Sequence, residues 1–381
     1  MSTSRPGAKG LLLEETLRQY FHQAGYFAVR SVPYKLEGED VTDVDLWLYE
    51  RPTGATRRRH IVDVKNKKNP KASERVIWVK GLQQALGVDG AFVATTDRRA
   101  ATKRLARQLH VTLLDGEAIS KITQSTALQS SPMLSSDDFE AQLKVIDLER
   151  RGGEWRAHFA GAKSSLLTGM GVQATNKALS SVRFFSEQAT FAHPGSVQAV
   201  AATRACYACA SYATIALDFV LSDLAFRSPA ERRNAVAEVI RFGNSETRST
   251  LATVRAAIAL TRKYAINGNA VAAQVESAFF AEAEQIPAEI VSDFVTRGST
   301  TDALFVVSRE LITYAFERNV PCFDVLTRDS RSILGIFLDF AGVSRQRFAD
   351  ASPRMGPAAG PIDAESPSLF GNHTDSGKPG E

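Results

Sequence analysis

"VTDVDLWLYERPTGATRRRHIVDVKNKK", Val41 to Lys68, sets aspartates and lysines inside two runs of β-branched and aromatic residues. Aspartate is a poor strand former and a buried charge is costly, so acids kept on strands ask for a partner. Side chains alternate along a strand. Asp43, Asp45 and Trp47 therefore share one face of the first run, and Val44, Leu46 and Leu48 share the other. In the second run Asp63 and Lys65 point one way, while Val62 and Val64 point into a core. Paired as a hairpin, the two runs can set Asp45 beside Asp63. Adjacent carboxylates repel, which raises a pKa or demands a cation. Magnesium answers that demand, because it takes oxygen ligands and typically only one or two protein carboxylates. Lys65 stands two residues past Asp63, about 6–7 Å along the same face. There an ammonium can orient an attacking water or neutralise charge growing on a phosphate, and a hard ion can lower the pKa of water to supply the nucleophile. The set suits phosphodiester hydrolysis. The competing reading leaves Asp45 and Asp63 as edge-strand charges that discourage aggregation and pair with Lys65.

Outward from this stretch, Leu13, Leu17, Tyr20, Phe21 and Ala24 recur at helical spacing and Gly25 stops the helix. Strands are expected over Tyr26–Tyr34, Val41–Tyr49 and His60–Lys65, with Arg51–Arg59 a polar connection. Ser73 caps a helix through Leu86, Ala91–Thr95 is a short strand, Arg98–Leu109 a basic helix, and Val111–Leu114 a last strand. The order αβββαβ, then αβ, implies a mixed α/β sheet covered by helices.

These residues resemble the PD-(D/E)XK nuclease superfamily, and within it the branch of Mrr-like restriction endonucleases and archaeal Holliday-junction resolvases. The resemblance runs from Leu11 to Asp115. Glu14, eleven residues before Gly25 with Tyr26 next, matches the family's first-helix glutamate; Asp45 in "VDL" matches its strand aspartate; and "DVK", Asp63 to Lys65, matches its signature. Val44 stands where the name-giving proline would be, and Asp63 replaces the commoner glutamate. Asp43 is an alternative to Asp45, and Glu15 to Glu14. A glutamine on the following helix joins the site in some relatives, a role open here to Gln83 or Gln84. The resemblance implies a metal-dependent DNA endonuclease, with Asp45, Asp63 and Glu14 on Mg²⁺ (Mn²⁺ can substitute) and Lys65 beside them. A restriction or anti-phage role would suit the branch, by analogy of fold. Two rivals stay open: a non-catalytic nucleic-acid-binding or assembly protein that kept the fold, and a nuclease acting on RNA or branched DNA.

Charge is unevenly spread. The chain of 381 residues has a net charge of +4, but residues 1–125 hold 21 Lys and Arg against 14 Asp and Glu, leaving 25 against 28 for the rest. A polyanion is thus expected to meet the front of the molecule. Lys67 and Lys68 adjoin the signature and are read as DNA contacts, with Arg58 and Arg59 of the Arg57–Arg59 triplet as further ones; a solvated loop explains the triplet as well.

Ser120–Ser136, rich in Ser, Thr and Gln, reads as a linker. From residue 137 to 350 the pattern is helical throughout, with breaks that accommodate seven or eight helices, so a second, all-α domain is expected. Its role has no motif, and self-association to a homo-oligomer is one possibility. The first ten residues are expected to be flexible. Residues 351–381, rich in Pro and Gly, are expected to be disordered. Cys206 and Cys209 have a redox or half-zinc spacing, but without a second pair they read as small core residues. Neither a P-loop nor a nucleotide-binding glycine fingerprint occurs. The N-terminus lacks a signal-peptide core and Ala205–Leu217 is too short to span a bilayer, so the expectation is a cytoplasmic chain with no membrane partner.

Overall fold

A computed structural model describes residues 8–65, 71–129, 133–149, 153–243 and 250–352. Helix α1, Ala8–Gln23, starts inside the segment expected to be flexible. It is followed by β1 (Phe27–Leu36), β2 (Glu39–Glu50) and β3 (Arg58–Lys65). Next come α2 (Ala72–Leu86), β4 (Gly90–Thr95), α3 (Ala100–Gln108), β5 (Thr112–Leu114) and α4 (Gly116–Gln129). The five strands lie in sequence order, antiparallel from β1 to β3 and parallel from β3 to β5. Glu37 and Gly38, both at positive φ (51° and 93°), make the tight turn that joins β1 to β2.

Alternation along β2 and β3 divides the sheet's contacts. Leu46, Leu48, Val62 and Val64 meet Leu13, Leu17 and Phe21 of α1 and Ile119 and Ile122 of α4. Trp47, Tyr49 and Ile61 belong instead to a core that holds Val76 and Val79 of α2 and continues without a break into the helical half. That half comprises α5 (Ser136–Leu148), α6 (Trp155–Thr168), α7 (Val172–Phe191), α8 (Val197–Asp223), α9 (Pro229–Phe242), α10 (Thr250–Tyr264), α11 (Gly268–Glu284), α12 (Ala288–Val295), α13 (Gly298–Phe316), α14 (Arg328–Ala341) and α15 (Arg345–Ala351). The whole is a restriction-endonuclease-like mixed sheet followed by an all-α region.

Three expectations change. The supposed linker is helical through Gln129, because Ile119 and Ile122 give it an apolar face that seats on the sheet. The described helices of the second half number eleven, more than the seven or eight expected, because the chain also breaks at Gly169–Gly171, at Pro287 and at Gly342, three further Gly and Pro positions. The second, all-α half is not packed independently of the first: one face of the sheet keeps its own core, but on the other Phe27 meets Tyr212 with ring centroids 6.5 Å apart, and Tyr49 meets Phe305 at 6.1 Å. Ala205–Leu217 is the middle of α8, a helix of 27 residues that is long and apolar enough to cross a membrane; 89% of its apolar window is buried inside the fold. Cys206 and Cys209 are fully buried there. All but the first two residues of the 351–381 tail lie outside the described residues.

Candidate active site

Strands β2 and β3 pair in a register that includes Leu46 opposite Val62. Asp45 and Asp63 stand one residue beyond that last paired position, and they line one shallow open cleft with Asp43, Ile61, Trp78 and Leu82. The Asp45 carboxylate accepts the Val64 backbone N–H at 2.7 Å, which ties one strand's acid to the other strand's backbone. Lys65 Nζ stands 3.9 Å from Asp45 Oδ2 and 3.9 Å from Asp63 Oδ1. Burial is the largest influence on Asp45 and pushes its pKa up to about 6; the charges of Asp63 and Glu14 add to the rise, while the Val64 amide and Lys65 oppose it. A carboxyl buried in this way gains from a positive charge placed beside it.

Asp63 has found one. It is 4% exposed, and Arg75 on α2 closes a two-pronged ion pair on it: Nε donates to Oδ2 at 2.9 Å and Nη2 donates to Oδ1. The guanidinium lies 4.0 Å from the ring centroid of Trp78. Sequence reasoning missed Arg75. The available signal was its place in the first turn after the signature, three residues before Trp78, which puts both on one helix face.

Glu14 lies close enough for its charge to be felt at Asp45, but its carboxylate is engaged by another cation. It sits on α1, among residues that pack on the Leu46 side of the sheet, and its Oε2 accepts Arg30 Nε at 2.9 Å. Arg30, with a fully buried side chain, also donates to Asp137 of α5 at 2.7 Å and so ties Glu14 toward the helical half. Glu15 is no substitute, since Arg18 holds it. Asp43 is exposed at the rim of the cleft. Gln83 is spent on the end of α2, donating to the carbonyls of Val88 and Asp89 at 3.3 and 3.1 Å, and Gln84 is exposed with no described link to the acids. The residues after a helix C-terminus need such donors, which is why a glutamine there serves the turn.

The arginine triplet also departs from expectation. Arg57 is buried in an ion pair with Asp218 of α8. Arg59 lies over the Phe219 ring at 5.1 Å, donates to the Gly87 carbonyl at 2.8 Å, and has its pKa lowered by burial. Neither is a solvated loop charge. Arg58 alone of the three is well exposed, 3.8 Å from Glu50. Lys67 and Lys68 lie outside the described residues. His22 is structural: Thr313 meets its Nε2 at 3.0 Å, and burial, aided by Arg309 and Arg18, lowers its pKa to about 4.

A sheet of this order with paired acids and a lysine where β2 meets β3 defines a nuclease-type α/β domain. Residues 8–123 match the family model described as restriction endonuclease, of the Mrr catalytic type, so the N-terminal part of the chain is a PD-(D/E)XK, Mrr-like domain. Neither a curated protein nor a solved structure gives a match.

Among the described residues no group of three His, Cys, Asp or Glu side chains converges as a metal-ligand set. The donor chemistry nevertheless fits a hard divalent ion. Two neighbouring carboxylates, one of them with its pKa raised chiefly by burial, are what magnesium accepts, its remaining positions being open to water and phosphate.

Proposed function

We propose that the chain is a divalent-metal-dependent endonuclease that hydrolyses DNA phosphodiester bonds, acting in the cytoplasm in restriction or anti-phage defence. The observation that carries this reading is Lys65 poised 3.9 Å from both Asp45 and Asp63 in a domain of the restriction-endonuclease family. Asp45 and Asp63 would hold Mg²⁺, or Mn²⁺ in its place. When bound, the ion supplies Lewis-acid polarisation of the phosphate and a lowered pKa for the attacking water. Lys65 donates hydrogen bonds to the phosphate oxygens and stabilises the negative charge that builds there. The Val64 amide keeps the Asp45 carboxylate turned toward β3. Self-association through the helical half belongs to the proposal, supported by Tyr264, Ile266 and Val275, apolar residues exposed on or beside α10 and α11. Light scattering tests it.

A second reading, a nucleic-acid-binding protein that no longer cuts, is favoured by Arg75 on Asp63 and by Arg30 on Glu14. Linear duplex, single strands, four-way junctions and RNA, each incubated with Mg²⁺ or Mn²⁺, separate the readings. Cleavage of DNA that disappears in Asp63→Ala and Lys65→Ala, with binding retained, supports the nuclease. Binding without cleavage under every condition supports the second reading, and cleavage confined to RNA or junctions redirects the substrate.

A further inference from the structure

The acidic cluster already holds as many fixed cations as carboxylates. Two carboxylates, Asp45 and Asp63, face two cations, Lys65 and Arg75. Lys65 stays at 3.9 Å from each acid, a distance that leaves room for other ligands. Arg75 leaves less on Asp63: its planar fork engages one lone pair of each carboxylate oxygen, the geometry in which guanidinium and carboxylate match prong for prong, and sets a full positive charge beside them. A divalent ion brought to this cluster meets two resident positive charges, one of them bonded to both oxygens of a carboxylate it would need.

The rest of the surroundings shows where Arg75 can go. Its side chain is 26% exposed, so one side faces solvent. Trp78, 37% exposed, lines the same cleft as the acids and carries the guanidinium on its ring face. A cation on an aromatic face keeps part of its stabilisation when it gives up a carboxylate. The other anion that would enter this cleft is a phosphate of the nucleic-acid backbone, for which a guanidinium fork is equally well shaped.

We propose that Arg75 occupies the ion position at Asp63 in the resting protein, and passes along the face of Trp78 to a backbone phosphate as the divalent ion enters. The inference rests on reading Asp45 and Asp63 as the metal-binding pair. It adds Arg75 as a residue that contacts substrate, and it makes ion binding and nucleic-acid binding mutually reinforcing. By linkage, each raises the affinity of the other by the same factor.

The test is Mn²⁺ binding to the full chain by titration calorimetry, comparing wild type with Arg75→Met, and with Arg75→Gln in case the first variant folds poorly. Without nucleic acid, the variants should bind Mn²⁺ about tenfold more tightly, within the usual range of coupling between sites. In a Lys65→Ala background, which blocks cutting, a DNA duplex should tighten Mn²⁺ binding more when Arg75 is present than when it is replaced. Mg²⁺ should also change tryptophan emission in wild type and not in Arg75→Met, because Trp47 and Trp155 are fully buried and Trp78 is the exposed indole. Equal or weaker Mn²⁺ affinity in both variants overturns the exchange, and if wild type still cuts DNA the nuclease reading survives that result. Should no form of the chain bind Mn²⁺ and none cut any substrate, the nuclease reading falls and takes the exchange with it.

Discussion

Arg57 and Asp218, 161 residues apart in the chain, face each other as a two-pronged ion pair, with Nη2 2.9 Å from Oδ1 and Nε on Oδ2. Asp218 is fully buried in α8, and its carboxylate also accepts the Tyr49 hydroxyl at 2.7 Å and Arg51 Nη1 at 3.3 Å. Tyr49 and Arg57 flank the connection between β2 and β3, so one helical residue holds the turn end of the hairpin whose other end carries Asp45 and Asp63. Buried pairs fix an arrangement more reliably than they add stability, but removing one partner strands the other's charge. Asp218→Ala should therefore lower stability by about 3–5 kcal/mol, read by urea denaturation. A loss below about 1 kcal/mol, the scale of an exposed pair, would show that Arg57 finds water and that the seam is looser than described.

Asp45 predicts a trade between stability and activity. Its folded pKa, about 6, lies above the ordinary 3.8, chiefly because burial disfavours the charged form. The folded state thus holds a proton that the unfolded state releases between those two values. The stability contributed by the protonated form is fully present below pH 3.8 and is lost as pH rises through 6. Asp45→Asn, neutral at every pH, should be the more stable protein at pH 7 in the absence of metal, by at most about 3 kcal/mol for a shift of about two units. The difference should vanish near pH 4. Denaturation of both chains at the two pH values checks it, and a less stable Asn variant at pH 7 contradicts the burial argument.

Ion binding has the opposite pH dependence, since only the ionised carboxylate is a ligand. Mn²⁺ affinity should be nearly flat above pH 7 and fall by up to about tenfold per unit below 6, with a proton released on binding. Calorimetry at pH 5.5 in two buffers of different ionisation enthalpy measures that proton directly. The release should disappear in Asp45→Asn.

The sheet was legible because its signal is local. Alternation of apolar and charged residues over Val41–Tyr49 and His60–Lys65 gives both the strands and the faces they present, and Gly25 and Gly87 close helices where backbones at φ +101° and +60° require them. The nearness of Asp45, Asp63 and Lys65 followed from the same alternation plus a hairpin. What was not legible depends on contacts far apart in sequence. Nothing near Glu14 announces that Arg30 will hold it and also reach Asp137, and nothing near Arg57 announces Asp218. The Ser- and Thr-rich stretch from Ser120 looked like a linker because the helix that runs into it is stabilised by seating Ile119 and Ile122 on the sheet rather than by strong helix formers.

The triplet Arg57–Arg59 allows a test of which basic residues meet nucleic acid. Arg58 has 57% of its side chain exposed and only a loose partner in Glu50, whereas Arg59 is spread over Phe219 and bonded to the Gly87 carbonyl. Each phosphate neutralised by a protein cation releases counterions and steepens the dependence of affinity on salt. Arg58→Ala should therefore reduce the logarithmic salt slope of duplex binding by about 1 while changing stability by no more than about 0.5 kcal/mol. Arg59→Ala should leave the slope alone and lower stability by about 1–2 kcal/mol, the combined scale of a cation–π contact and a charged hydrogen bond. Fluorescence anisotropy of a labelled duplex across a salt series, with urea denaturation of the same variants, gives both quantities. An unchanged slope in Arg58→Ala would remove this corner of the hairpin from the nucleic-acid path.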